Sequence, residues 1–201
     1  MLRRNLYLKS GLIALMLLTC QAPKALADTP SEQLRTTIDR VMEVLGTIRS
    51  AEDIAGKKPL FRQILARRFD FAEMARRSLG KYWSHLNGKE GEFISTFTQF
   101  IESSYMGTLG SYRGEKVVYG AERVNRELAQ VDTSVVGGQG APIQVHYRLH
   151  RVDGQWKVYD VVVDHVSLVS NYQSQFGRIL RTASLEELLE KLRAKSDRTE
   201  G

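Results

Sequence analysis

Between residues 31 and 49 the apolar side chains Leu34, Ile38, Val41, Leu45 and Ile48 recur at intervals of three and four, with Glu, Gln, Arg and Asp between them. That is the period of a helix burying one face. Pro59, tolerated in a first helical turn, predicts a short second helix over 59–68. Asp70 followed by Glu73 has the form of a capping box for a third helix, which Gly80 is placed to end in a left-handed turn. A fourth helix is expected over 90–112, where Phe93, Ile94, Phe97, Phe100, Ile101, Tyr105, Met106, Leu109 and Tyr112 form one wide, aromatic stripe. At 1.5 Å per residue that segment is about 33 Å long, and such a stripe is ordinary core unless something else assigns it a ligand.

Beyond Gly114 the period changes to two. Val145, Tyr147 and Leu149 alternate with His146, Arg148 and His150, and Asp153-Gly154 is a tight hairpin signal. Gly137-Gly138-Gln139-Gly140 marks a further turn. Strands are expected over 116–120, 121–136, 142–152 and 155–164. The chain then returns to helix over 167–182 and 184–195, the latter opened by Ser184 with Glu187 as a second capping box. Four successive strands with short connections make an antiparallel sheet, one face of which the helices must cover. The expected class is therefore α+β, an antiparallel sheet of about four strands, curved and covered by several helices.

The first 27 residues do not belong to that domain. Arg3, Arg4 and Lys9 precede the apolar run from Gly11 to Leu18, and Ala25-Leu26-Ala27 closes the segment, the order of a secretory signal peptide. An apolar run of about 8 residues is far short of the roughly 20 that span a bilayer. Cleavage after Ala27 and a periplasmic location in a Gram-negative cell are expected, leaving residues 28–201 as a single domain large enough to bury a core and line a cavity. Leu17-Leu18-Thr19-Cys20 is a weaker, competing lipoprotein box, with acylation at Cys20 as the alternative. Cleavage after Ala27 removes the one cysteine, so neither disulfides nor a thiol nucleophile enters the chemistry.

The leader also carries much of the charge. The chain has 29 Lys and Arg against 23 Asp and Glu, and Arg3, Arg4, Lys9 and Lys24 of the leader have no acid beside them, so the formal charge falls from +6 to +2 on cleavage. The densest remaining run, Arg67-Arg68 with Arg76-Arg77, is short and interrupted by acids. A nucleic-acid binder would keep a basic stripe with interleaved aromatics, so nucleic acid is not expected as a partner.

Catalytic signatures are equally thin. His146 and His150 on one strand stand about 13 Å apart, too far to share a zinc ion, and read as surface residues. His85 and His165 are isolated, and the chain holds no Gly-rich phosphate loop, GxSxG elbow or HExxH. No metal, cofactor or enzyme activity is expected. A helix-roofed sheet can nevertheless house a general acid or base, as in ketosteroid-isomerase-like cones, which makes Asp160 and Tyr159 the residues an enzyme reading would test.

The residues from Phe69 to Arg76 (FDFAEMAR), Leu79-Gly80-Lys81-Tyr82-Trp83, Tyr105 with Leu109 and Tyr112, Trp156 to Val161 (WKVYDV), and Val166 to Phe176 (VSLVSNYQSQF) stand in an order that resembles the MlaC (toluene-tolerance) family of periplasmic phospholipid-binding proteins. The likeness covers nearly the whole of 28–201. His165 stands at a turn position where glycine is expected, and Gln173 where arginine is common.

The resemblance implies an apolar lipid pocket between sheet and helices, a headgroup left exposed, and a monomeric carrier with no catalytic role. Its implied partners are a phospholipid ligand, an inner-membrane ABC transporter complex and an outer-membrane lipoprotein complex, in maintenance of outer-membrane lipid asymmetry. On that basis the lipid-binding residues are expected to be Phe93, Phe97, Phe100, Ile101, Tyr105 and Leu109 of the long helix, Val145, Tyr147 and Leu149 of one strand, and Trp156, Val158, Val161, Val169 and Tyr172 of the opposite wall. Both strand parities are included because the pattern does not say which sheet face meets the lipid. A carrier for another lipid, such as a hopanoid, is the alternative.

Overall fold

A computed structural model describes residues 28–106, 111–137 and 140–200. The expected leader, residues 1–27, and Leu109 lie outside them. Among the described residues, six helices and a five-stranded antiparallel sheet follow one another as α1 (Pro30–Gly46), α2 (Ala51–Arg68), α3 (Phe71–Leu79), a 3₁₀ turn (Gly80–His85), α4 (Glu90–Met106), β1 (Lys116–Asn125), β2 (Leu128–Val136), β3 (Ile143–Val152), β4 (Gln155–Val163), β5 (Val166–Ser167), α5 (Leu168–Ile179) and α6 (Leu185–Glu200). The strands are ordered β1-β2-β3-β4-β5, a meander without crossovers. No described helix is long and apolar enough to cross a membrane.

The helix starts are chemical. Thr29 and Glu32 exchange hydrogen bonds at the head of α1, with Pro30 in its first turn, and Ser50 and Asp53 do the same for α2. That second box moves the start of α2 from the expected Pro59 back to Ala51, so Pro59 lies inside the helix, without an N–H for the preceding turn. The core explains why the helix persists: Phe61 and Ile64 are buried against Val44 and Leu45 of α1. Asp70 caps α3 by accepting from the Glu73 N–H at 2.9 Å, but Glu73 does not reach back. Its carboxylate is taken by Arg76 at 2.6 Å and Arg77 at 2.7 Å, so only half of the expected box forms. Gly80 ends α3 with φ 55° and ψ −124°, a positive-φ turn that is not left-handed helical. A Cβ there would lie 2.5 Å from the Gln173 side chain, whose Nε2 donates to the Arg77 carbonyl.

The first two strands break at a different place than expected. β1 runs unbroken through Gly120 and Ala121, where a bulge adds one residue between the Tyr119–Thr133 and Glu122–Val131 pairs. The hairpin turn lies instead at Arg126-Glu127, with Arg126 at φ 54°. Alternation over 121–136 was compatible with one long strand, because a bulge shifts parity without any turn residue to announce it. The fifth strand, two residues long, follows a turn in which Asp164 and His165 both have positive φ, 44° and 70°. His165 thus adopts the conformation for which glycine is better suited.

Three apolar clusters hold the layers together. Met74, Leu79, Phe93, Phe97, Phe100, Tyr172, Phe176, Leu188 and Leu192 form the largest, between α3, α4, α5 and α6. Leu34 of α1 covers Val131, Leu149, Trp156 and Val158 of the sheet. The third, between α1 and α2, includes Tyr112, which follows α4 rather than extending it. A polar strut links the last two: Arg68, 9% exposed, donates to Gln33 Oε1 at 2.5 Å, to Thr37 Oγ1 at 3.3 Å and to the Trp156 carbonyl. Gln33 Oε1 also accepts the Trp156 N–H at 3.0 Å.

Two expected outcomes test this framework. Arg68→Ala takes a buried donor from Thr37 Oγ1, from the Trp156 carbonyl and from Gln33 Oε1, which keeps only the Trp156 N–H, and should lower stability by about 3 kcal/mol, read as a fall in urea midpoint with unchanged m-value. Glu73 supplies a pH dependence: hydrogen bonds from Arg76 hold its carboxyl below the usual 4.5, with Arg77 adding to the effect and burial opposing it. A carboxyl lowered in the folded state stabilises above its unfolded pKa and loses that contribution as pH falls through the folded one. Glu73→Gln should therefore cost roughly 0.5–1 kcal/mol at pH 7, with the deficit shrinking below about pH 4.5 in parallel denaturation series.

Candidate functional site: an apolar cavity between sheet and helices

The residues between α2 and α3 tie the helices to the sheet. The Asp70 N–H donates to the Val158 carbonyl at 2.8 Å, and Phe69 forms a parallel bridge with Val158. This attachment places Phe69 and Phe71, with ring centroids 5.9 Å apart, beside β4. On α2, Phe61 and Leu65 are one turn apart and share a face. Together with Met74 of α3 and Val41 of α1 they make one wall of a cavity of about 470 Å³.

A second bulge makes the opposite wall. Leu149 pairs with Val158 and Arg148 with Asp160, so Tyr159 is the extra residue on β4. Val158 before the bulge and Val161 and Val163 after it therefore lie on one sheet face, despite their change of parity. Val161, Val163, Val166 and Leu168 line the cavity from this side, and Ile101, Glu102 and Tyr105 from α4. Eleven of the fourteen lining residues are apolar; Glu102, Tyr105 and Asn171 are the others. Tyr105, Val163 and Val166 are 46%, 42% and 59% exposed, which puts the opening between the end of α4 and the β4–β5 turn.

Of the residues expected to bind lipid, Ile101, Tyr105 and Val161 line this cavity. Phe93, Phe97, Phe100, Val169 and Tyr172 are buried in the largest core cluster instead. There Phe100 and Phe97 meet Tyr172 edge-on at 5.2 and 6.1 Å. Burial, then the nearby Tyr105, pushes the Tyr172 hydroxyl's pKa up. Leu149, Trp156 and Val158 are buried under α1, with Tyr147 packed against them. Burial pushes the Tyr147 hydroxyl up to about 12. Val145 is buried on β3 opposite Val163. The wide stripe of α4 is thus divided between a solid core on one side and the cavity on the other.

Phe61, Leu65, Phe69, Phe71, Met74 and Val163 were not among the expected residues, although Phe61 and Leu65 have helical spacing. The two histidines expected at the surface are half-buried and paired with carboxylates. His146 Nδ1 lies 2.7 Å from Asp132 Oδ1, and His150 Nε2 lies 2.9 Å from Asp70 Oδ2. Cross-strand and inter-element partners such as these leave no local trace in sequence. Asp160, 2% exposed, accepts from Arg148 at 3.1 Å, Ser167 Oγ at 2.7 Å and the Val169 N–H at 3.1 Å, anchoring the start of α5. Tyr159 packs under the Arg77 guanidinium at 4.1 Å and against His150 at 5.5 Å. Neither lines the apolar cavity. Among the described residues no group of three His, Cys, Asp or Glu could hold a metal ion.

Known proteins share this architecture. A phospholipid-binding protein of Ralstonia solanacearum, solved in complex with a phospholipid, superposes with a TM-score of 0.72 over 84% of this chain and 97% of its own, at 24% identity, a likeness of fold. The intermembrane phospholipid transport system binding protein MlaC of Haemophilus influenzae is 26% identical over 120 residues, 57% of this chain and 56% of that protein. The toluene tolerance protein ttg2D of Pseudomonas putida is 28% identical over 86 residues, 42% of this chain and 40% of that one. The matches thus span about half the length, or less, of the H. influenzae and P. putida proteins. The model of the MlaC protein family matches residues 35–194, and the chain belongs to that family.

Proposed function

We propose that the protein is a periplasmic, non-enzymatic carrier that buries the acyl chains of a phospholipid in the cavity between its sheet and helices. The apolar cavity itself carries this reading: eleven apolar side chains around about 470 Å³, open at one end, inside the size range of pockets that bury small ligands. A folded chain normally closes such a space, and here two packed cores flank it instead.

The energetics suit the task. At about 0.8 kcal/mol per methylene, a phospholipid with roughly 30 methylenes pays over 20 kcal/mol to enter water, so free passage across an aqueous compartment is negligible. An apolar sleeve removes that barrier. The same burial opposes release, so delivery needs a partner that opens the cavity or receives the tails directly. We assign those roles to an inner-membrane ABC transporter complex and an outer-membrane lipoprotein complex, with export by the leader ending at Ala27. The names of the H. influenzae and R. solanacearum proteins favour a phospholipid over a hopanoid as the ligand.

Native mass spectrometry of the protein purified from the periplasm without detergent should reveal one phospholipid per chain. A hopanoid mass would overturn the substrate, and a ligand-free protein that also takes no lipid from vesicles would overturn the carrier reading. Val161→Trp, which places an indole in the cavity from the middle of β4, should cut loading from vesicles by about ten-fold or more while leaving the far-ultraviolet circular dichroism unchanged. Undiminished loading would mean that the lipid lies elsewhere.

A further inference from the structure

Two polar hollows, of about 410 and about 290 Å³, lie on the face of the sheet turned away from the apolar cavity. Arg148 places them there: it alternates along β3 with Tyr147 and Leu149, which pack with Leu34 of α1, so its side chain leaves the strand on the other side. The hollows share Arg148 and Tyr159 and form one groove, from Arg76, Arg77 and Gln173 on α3 and α5 to Arg123 and Gln130 on β1 and β2. Among the described residues, four arginines line it against a single carboxylate, Asp160.

The charges are layered. Glu73, Asp132 and Asp160, which pair with these arginines, have side chains 3–18% exposed, whereas the four arginine side chains are 38–63% exposed. The anions therefore lie beneath and the cations above. Among the described residues Arg77 donates only through Nε, and Arg123 and Arg148 only through Nη1. A guanidinium has five N–H groups, so each keeps donors to offer. Arg77 is also held in place by Tyr159, whose ring lies 4.1 Å below its guanidinium carbon.

We propose that this groove docks an extended acidic segment of a partner protein, with carboxylates meeting Arg77, Arg148 and Arg123. The inference does not depend on what the cavity holds, since groove and cavity use opposite faces of the sheet. Arg123 on β1 and Tyr159 on β4 are three strand spacings apart, about 14 Å at roughly 4.8 Å each, so one phosphate or carboxylate cannot reach both ends. An extended chain can, because acidic residues at alternate positions recur about every 7 Å. Arginine suits the task, its planar fork matching a carboxylate with two hydrogen bonds. Gln173 at one end and Gln130 at the other offer amides to the segment's backbone. A flat anionic bilayer has no part that follows a groove between helices and sheet.

The test uses the protein exported with its own leader and a fluorescent peptide of about nine residues, alternating Glu and Gly, read by anisotropy. It should bind at least about ten-fold tighter than the Gln–Gly counterpart, and weaken about ten-fold between roughly 0.05 and 0.5 M sodium chloride. Arg77→Gln combined with Arg148→Gln should weaken it about ten-fold or more, whereas Arg40→Gln combined with Arg49→Gln, the same charge change at exposed positions outside the groove, should stay within about two-fold. In the unaltered protein the peptide should shift the Nε–H resonances of Arg77 and Arg148 and leave those of Arg40 and Arg49 in place, a readout that no folding defect in a variant can mimic. Equal affinity for the two peptides, equal loss in the two double variants, or shifts spread over all four arginines would overturn the inference. So would binding to phosphatidylglycerol vesicles without preference for the acidic peptide, which would assign the groove to a membrane surface.

Discussion

The cavity depends on a guanidinium buried without a carboxylate. Arg68 ends α2, and burial pushes its pKa down from the usual value, with Asp28 acting in the opposite direction. Arginine does not give up its proton at such a site, so the charge must be solvated by the protein itself. Three neutral acceptors do this, and they come from α1 and β4: Gln33, Thr37 and the Trp156 carbonyl. The requirement that all three converge fixes where α2 stops relative to the sheet. Phe69 and Phe71 follow within three residues, and Phe69 pairs with Val158 of β4 where the strut leaves it, so this part of the cavity wall is positioned beside a polar contact outside it.

The bulge on β4 is the matching constraint on the other side. Without Tyr159 as an extra residue, Trp156 and Val158 could still lie under Leu34, but Val161 and Val163 would point away from the helices. Asp160, carried to the opposite parity, instead meets Arg148, Ser167 and the first turn of α5. One inserted residue thus supplies both the apolar wall and the anchor for the helix that borders the opening.

Periodicity made the classes and order of elements legible, because local burial is written in steps of two or three and four residues. Leu34 to Leu45 marked α1 and Val145 to Leu149 marked β3, and both are where the pattern put them. What periodicity could not show was anything set by distant partners. Pro59 suggested a helix start, yet the Ser50–Asp53 box, six to nine residues upstream, decided it. Separate strands were expected over 116–120 and 121–136, yet Gly120 and Ala121 belong to a bulge in one strand, defined by register with β2. The site divides the same way. Phe93, Phe97 and Tyr105 look alike on a helical wheel, but only the packing of α5 and α6 determines that the first two are core and the third borders an opening.

That division explains how a domain can keep an open apolar space without collapsing into it. An unfilled cavity normally costs stability because surrounding groups lose contacts that they cannot regain by relaxing. Here the α3–α4–α5–α6 cluster and the sheet cluster under Leu34 are separate packed groups, with Phe69 against both. The Asp70–Val158 backbone bond ties the start of α3 to the sheet, Arg68 ties the end of α2 to α1 and the sheet, and the Arg62–Glu102 pair ties α2 to α4. On the proposed reading, a lipid would enter or leave with either core intact, and the free energy of burying its tails would add to that of the folded state through mass action. These polar ties, each made by partners from different elements, fix α2, α3, α4 and the sheet around the cavity.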